Sequence, residues 1–389
     1  MTQYGFEAQL RLYTESLRHK TSWSWPVGAE HWRATAKKVL TKEAWGYLEG
    51  AAGTEATMRE NRRAFERVKI RSRMLRDVSD RDVTVTLLND KISVPFLLAP
   101  IGVQEIIHPD GELASAKAAV RAEVPFVLST VSSFTLEQVA DLMGEHTRWF
   151  QLYPGRDPDL MKSFVGRAEK AGYSALVVTV DTTMLGWRPR DLENLYLPFL
   201  LGKGIANYVS DPAFRARLTR PPEEDPMAAV QEFLNIYVNP AFTWAQLQEL
   251  CGWTDLPVVV KGITHPEDAK IAQQVGVEGV IVSNHGGRQV DGGVATLDAL
   301  ETVRHVVADD FLVLLDSGIR GAADVLKAVA MGADAVLIGR PYAYALAVGG
   351  EEAVWELATQ FKAELDLQLA LSGHQSIREI GPDYVTRIP

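Results

Sequence analysis

The chain has 389 residues, with 40 basic and 50 acidic side chains and a formal net charge of −10. That acidic balance, without any basic block, argues against a nucleic-acid partner, and no apolar run approaches the roughly 18 residues of a membrane helix. The polar stretch Met1 to Lys20 lacks the apolar core of a signal peptide, and Cys251 is the only cysteine, so the expectation is a cytoplasmic protein without intrachain disulfides.

Residues 1–90 read as an N-terminal segment of helices and loops packing on the remainder of the chain. Thr41 to Leu48 and Thr57 to Phe65 have helical composition, and Gly50 and Gly53 separate them. From Val94 eight short apolar runs appear: Val94–Ala99, Pro125–Ser129, Trp149–Tyr153, Ala175–Asp181, Leu256–Lys261, Gly279–Ser283, Leu312–Asp316 and Ala333–Ile338. Helical patterns lie between most of them. Thr135-Leu136-Glu137-Gln138 has capping-box spacing. Pro266 opens another helix and Gly276 closes it. Ala322 to Met331 ends at Gly332. This alternation predicts an α/β fold, a (β/α)8 TIM barrel over 91–371, followed by a tail at 372–389. No G-x-G-x-x-G follows a strand, which weighs against an open dinucleotide-binding sheet.

The longest connection follows strand four, between Asp181 and Leu256. It reads as an irregular insertion of about 189–255, with Pro198, Pro212, Pro221, Pro222, Pro226 and Pro240 and an acidic patch at Glu223-Glu224-Asp225. Long segments of this kind usually have a use. Its position places it over the C-terminal mouth of the barrel, as a lid or pocket cap, a decorative surface insertion or an oligomer contact.

Barrel chemistry sits at the C-terminal strand ends. In chain order these carry Gly102, Ser129, Gln151 and Tyr153, Thr179 and Asp181, Lys261, His285 and Arg288, Asp316 and Arg320, and Gly339 and Arg340. Ser, Gln and Thr can hydrogen-bond a planar heterocycle. Asp316-Ser317-Gly318-Ile319-Arg320 and Gly339-Arg340-Pro341 fit the phosphate site that barrels build after strands seven and eight. Ser283-Asn284-His285-Gly286-Gly287-Arg288-Gln289 joins an imidazole, which can change charge near neutrality, to a guanidinium able to grip a carboxylate. No H-E-x-x-H or comparable ligand cluster points to a metal.

The Ser283–Gln289 stretch resembles the signature of the FMN-dependent α-hydroxy-acid oxidase and dehydrogenase family. Further likeness lies in Ala99-Pro100, Phe150–Tyr153, Thr179–Thr182, Leu185–Arg188, Lys261-Gly262 and Gly339–Pro341. The resemblance implies FMN as cofactor. Pro100, Ile101, Gly102, Ser129, Gln151, Thr179, Lys261 and Ser283 would surround its ring, and Asp316, Ser317, Gly318, Arg320, Gly339 and Arg340 would hold its ribityl phosphate. It implies His285 as base, Asp181 as the carboxylate orienting it, and Lys261 as the cation beside the ring. Tyr47, Arg188 and Arg288 would bind the substrate carboxylate, and Tyr153 the substrate oxygen. Tyr47 by itself reads as helix packing.

Within the family the insertion is most similar to the lactate 2-monooxygenase branch, through Gly186–Leu192, Pro198–Leu200 and Asn207–Val209 with Asp211, Pro212 and Phe214. Gly102 fits that branch, where it would leave space for oxygen. Ser317 and Val131 depart from the common pattern. The implied reaction is oxidation of a small L-2-hydroxy acid, L-lactate foremost, by O2, with decarboxylation of the retained keto acid to acetate. The alternative product pair is a 2-oxo acid and hydrogen peroxide. A homotetramer or homo-octamer is implied as well. A Schiff-base aldolase using Lys261 and a non-catalytic flavin or phosphate binder are the competing readings.

Overall fold

The computed structural model describes residues 4–19 and 24–388. Eight parallel strands close into a barrel: Phe96–Leu98, Phe126–Ser129, Arg148–Leu152, Ala175–Thr179, Val258–Ile263, Gly279–Val282, Leu312–Leu315 and Ala335–Ile338. These are strands one to eight. Each overlaps one of the eight apolar runs. Closure is made where strand eight pairs with strand one, Leu337 opposite Leu97.

Side chains alternate across a strand, and that alternation sorts the barrel into layers. Leu97, Val127, Trp149, Val177, Val259, Ile281, Leu314 and Leu337 form one buried cluster inside it. Their neighbours, such as Leu98, Leu128, Phe150, Val178, Val260, Val280 and Leu315, pack outward into the larger core under the helices. Two positions beyond the inner cluster, on the same face, stand Ala99, Ser129, Gln151, Thr179, Lys261, Ser283, Asp316 and Gly339. The upper rim is therefore polar while everything beneath it is hydrocarbon.

The opposite end is stoppered. A hairpin, Val85–Leu87 with Asp90–Ile92, inserts Leu87 and Ile92 into the inner cluster. The sequence predicts only helices and loops for the N-terminal region, so this hairpin is a difference. Its strands are only three residues long, although the Val/Thr alternation from Val83 to Leu87 is a visible sign of them. The helices Lys42–Glu49 and Ala56–Arg67 lie over the C-terminal rim instead, and Thr41 caps the first through the amide of Ala44. The strand Val68–Ile70 pairs antiparallel with Val385–Arg387, so the tail is tied to the N-terminal region.

The expected barrel-helix signals hold. Thr135 and Gln138 form a capping box on Leu136–Met143, Pro266 starts Pro266–Gln274, and Ala322–Ala330 stops before Gly332.

The connection after strand four is not irregular. It folds into Pro189–Glu193, Pro198–Leu201, Ala206–Val209, Pro212–Arg215, Pro226–Ile236 and Trp244–Cys251, all short helical pieces. Pro189, Pro198, Pro212 and Pro226 sit in the first turn of their pieces, where the missing N–H costs nothing. Prolines that look like breakers are helix starters here.

An aromatic cluster holds the insertion down. Tyr208 meets Phe164, Phe214 and Phe233 edge to face, with centroids 4.8–5.8 Å apart, and Phe233 stacks on Tyr237 at 4.9 Å. Asn207 bridges the barrel by accepting from the Leu136 amide and donating to the Thr130 carbonyl. Arg167 reaches Asp211 at 2.9 Å.

Phe233 touches most of this cluster and is fully buried. Phe233→Ala is expected to cost about 3–5 kcal/mol locally and to open the insertion. Limited proteolysis should then cut within 198–240 before the barrel unfolds.

Candidate active site

The polar rim is prearranged in pairs. Ser129 donates to Gln151 Oε1 at 2.9 Å. Lys261 Nζ donates to Ser283 Oγ at 2.9 Å and lies 3.0 Å from Asp316 Oδ2. Burial alone would pull the Lys261 ammonium down, but Asp316 and Asp181 together outweigh it and hold it above its usual value. A lysine kept charged is no nucleophile, which counts against imine chemistry. Gln151 Nε2 and Thr179 Oγ1 are buried without a hydrogen-bond partner. Buried polar atoms are rarely left so; they mark where a ligand with its own polar edge would fit.

The loop after strand six carries the base. His285 has φ 56, and Gly286 and Gly287 follow at 65 and 79. Three successive left-handed residues turn the chain back over the rim, and only glycine takes that conformation freely. A Cβ on Gly286 would stand 2.7 Å from the Arg340 guanidinium, and one on Gly287 2.6 Å from the Met58 amide. His285 Nδ1 is 2.8 Å from Asp181 Oδ1, which leaves Nε2 as the nitrogen without a protein partner.

Burial alone would raise the Asp181 carboxyl, but the charges of His285 and Lys261, with the bonds from His285 and Thr182, hold it below its usual value. For His285, removal from water outweighs the upward pull of Asp181, and Lys261 and Arg188 push it further down. Asp181 pulls the ring upward, yet removal from water wins and the imidazole lies below its ordinary value.

Two guanidiniums face the same space. Arg188 donates to the Arg288 carbonyl at 3.1 Å and to Gln289 Oε1 at 2.9 Å. Arg288 donates to the carbonyls of Tyr47 and Gly50 at 2.6 and 2.7 Å and lies 5.0 Å over the Tyr47 ring. Burial, aided by the charge of Arg188, pushes Arg288 down to about 9. Among the described residues neither arginine has a carboxylate within ion-pair distance.

These groups line one open cavity of about 1100 Å³. Of the sequence candidates it gathers Tyr47, Pro100, Ile101, Gly102, Tyr153, Arg188, Lys261, His285, Arg288, Asp316, Ser317, Arg320, Gly339 and Arg340. Ser129, Gln151, Thr179, Ser283 and Asp181 stand just behind, bonded to or beside those residues. Gly318 faces away, its α-carbon turned toward Asn61 and Phe65. Asp316 belongs with Lys261 and Ser317 and not with the arginines. At the other end Arg340 is aimed by the carbonyls of Leu48, Gly50 and Gly286, and Arg320 by that of Ile319.

Gly102 borders the cavity, and the spot that a Cβ on it would take is filled by Val131, whose side chain it would meet and whose carbonyl would lie 2.8 Å away. Tyr237, from the insertion, is a cavity residue with no signal in the sequence; it packs against Tyr153 at 5.4 Å. Phe199 and Thr182 lie within motifs that carry the family resemblance, which implies no role for either. His108 and His265 are satisfied turn residues, each accepting from a backbone amide two positions on.

The profile of the FMN-dependent dehydrogenase family matches residues 36–387. The chain belongs to that family. It is 43% identical over 345 residues to an L-lactate oxidase of Lysinibacillus sphaericus, covering 89% of this chain and 88% of the relative. It is 40% identical over 342 residues to a 4-hydroxymandelate oxidase of Amycolatopsis orientalis, covering 88% and 93%. A crystal structure of mandelate oxidase with (S)-4-hydroxymandelic acid superposes with a TM-score of 0.83 at 37% identity, over 93% of this chain and 98% of that one.

FMN, the family's cofactor, fits the residues present. The two orphaned atoms, Gln151 Nε2 and Thr179 Oγ1, suit the polar edge of its ring, the Lys261 ammonium suits an electron-rich ring, and Arg320 with Arg340 suits its phosphate. Arg320→Ala should weaken FMN binding roughly 10- to 150-fold, the scale of one hydrogen bond to a charged group. Fluorescence titration of the apoprotein with FMN measures it.

Proposed function

We propose that the chain oxidises a small L-2-hydroxy acid with O2, L-lactate foremost, and decarboxylates the retained keto acid to give acetate, CO2 and water. The observation that carries the first half is the meeting of Arg188, Arg288 and a His285 backed by Asp181 on one cavity. The guanidiniums supply what a carboxylate lacks in that wall, and Tyr47 and Tyr153 close the same space. Fixing the carboxylate there fixes the rest of a small hydroxy acid, so most of the orientation cost is met by binding.

Bound FMN supplies the acceptor for two electrons. The protein's part is to move the proton. His285 Nε2 takes it from the substrate as the electrons leave, and Asp181, holding Nδ1–H, stabilises the imidazolium that forms. In this reading Ser129, Gln151, Thr179, Ser283 and the Pro100–Gly102 wall hold the ring. Arg320 and Arg340, with the Ser317, Gly318 and Gly339 backbone, hold the phosphate, and Asp316 acts through Lys261. The barrel unit 91–371 carries the cofactor and the 1–90 segment contributes Tyr47.

Retention of the keto acid is supported by the insertion, whose Phe199 and Tyr237 face the cavity while the aromatic cluster clamps them. The second reading is release of a 2-oxo acid with hydrogen peroxide. The likeness to an L-lactate oxidase favours it, and the apolar wall of Val131, Ile106 and Leu185 admits a larger hydrocarbon side chain. A cytoplasmic homotetramer or homo-octamer completes the proposal; among the described residues no helix is long and apolar enough to cross a membrane.

Anaerobic mixing with L-lactate should bleach the yellow protein. Admitting O2 should then yield acetate and CO2; pyruvate with stoichiometric peroxide would select the second reading, and no bleaching by L-lactate, (S)-2-hydroxyisocaproate or (S)-mandelate would end both. His285→Gln should keep the yellow colour and lose about 10²- to 10⁴-fold in the rate of bleaching. The rate should also follow pH. Because His285 lies below its ordinary value, kcat/KM should be flat at neutral pH and fall on the acid side, at a lower pH than a free imidazole would dictate. Asp181→Asn removes the group that pulls the ring upward, so this limb should move lower still while the plateau drops.

A further inference from the structure

Thr182 occupies a place that the roles above leave unused. Its Oγ1 donates to Asp181 Oδ1 at 3.0 Å and lies 3.3 Å from His285 Nδ1. The same carboxylate oxygen therefore receives the imidazole N–H and the threonine hydroxyl. Asp181 Oδ2 has no partner and is buried, so the orientation of this carboxylate rests on its Oδ1 bonds. Thr182 also lines two cavities. One is the active-site cavity; the other, about 780 Å³, opens behind the pair between the barrel and the insertion, beside Thr183, Asn239, Trp244 and Asp268.

We propose that Thr182 is a positioning residue for the base: its hydroxyl pins Asp181 Oδ1 onto the Nδ1–H of His285 and stands between that bond and the rear cavity. This rests on the function proposed above. The physical argument is geometric. An imidazole works as a base at Nε2 only while Nδ1 keeps its proton, and the partner of Nδ1 decides that. A carboxylate held by a single bond can rotate about its last torsion, which is broad. A second donor at the same oxygen removes that freedom. The charged and titratable groups facing the ring are Asp181 from strand four's end, Lys261 from strand five, Arg188 from the start of the insertion and Tyr153 from strand three's end. None of the others touches Oδ1 of Asp181 in place of Thr182.

Thr182→Val keeps the shape of the wall and deletes the hydroxyl; Thr182→Ser keeps the hydroxyl and deletes the methyl. The valine variant should retain FMN and its melting temperature. Its rate of bleaching by L-lactate should fall about tenfold, the scale of one hydrogen bond to a charged group, with KM within about twofold. Serine should restore the rate. A valine variant as fast as the parent, or a serine variant as slow as valine, would overturn the proposal. ¹⁵N NMR of the histidines, with His285→Gln to assign the signal, reads the pair without turnover. The parent should show a protonated Nδ1 and a bare Nε2, and the valine variant a mixture of tautomers. An unchanged tautomer in the valine variant also sinks the proposal. Parent protein that is not bleached by any of L-lactate, (S)-2-hydroxyisocaproate or (S)-mandelate sinks the proposed function instead and leaves the NMR comparison to decide on Thr182.

Discussion

Charge balance inside a low-dielectric mouth governs this structure. Lys261, Arg188, Arg288, Arg320 and Arg340 converge on one cavity, with Asp316 in its lining, Asp181 just behind it, Asp191 within electrostatic reach of Arg188 and Arg288, and Glu49 within that of Arg320 and Arg340. Asp316 is taken by Lys261, and Asp181 by His285. The arginines keep only backbone carbonyls and one amide oxygen as bonding partners. Carbonyls aim a guanidinium without neutralising it. The charge is concentrated at two places, Arg188 with Arg288 and Arg320 with Arg340; in the proposed function a carboxylate answers the first and a dianionic phosphate the second.

The barrel supplies the scaffold through its alternation. Because successive side chains point in and out, the change from hydrocarbon to polar takes place in a single layer, two residues above Val127, Trp149, Val177, Val259 and Ile281. The step is sharp since the hairpin bearing Leu87 and Ile92 seals the other end, so the inner space has one mouth. Ser129, Gln151, Thr179, Lys261 and Ser283 are then fixed by strand register, while His285 and Arg288 ride on a loop whose glycines let Arg340 and Met58 come close. The site is thus divided between residues placed by strand register and residues placed by a closely packed loop.

Much of this could be read from the residues alone. The eight apolar runs mark the strands because barrel strands are buried on both faces, and the first polar residue after each run is a rim residue for the same reason. What escaped was tertiary. Pro198, Pro212 and Pro226 look alike whether they break a helix or start one, and only packing decides. Tyr237 and Phe199 reach the cavity from an insertion with no periodicity to announce them. The space beside Gly102 depends on where Val131 falls from the next strand. The net proton affinity of His285 is a contest between burial and Asp181 that composition does not weigh. Thr182 carried a signal, its position beside Asp181, but a lone threonine after an aspartate is common.

The pairing of Val68–Ile70 with Val385–Arg387, together with strand eight closing on strand one, bears on how the molecule is made. Both seams join early residues to very late ones. During synthesis the segment that presents Tyr47 stays unsealed until residues 385–387 have emerged to pair with 68–70. Distant seams of this kind slow folding and prolong the exposure of unpaired edges. Slow closure is therefore a property of the connectivity and not of the chemistry it serves.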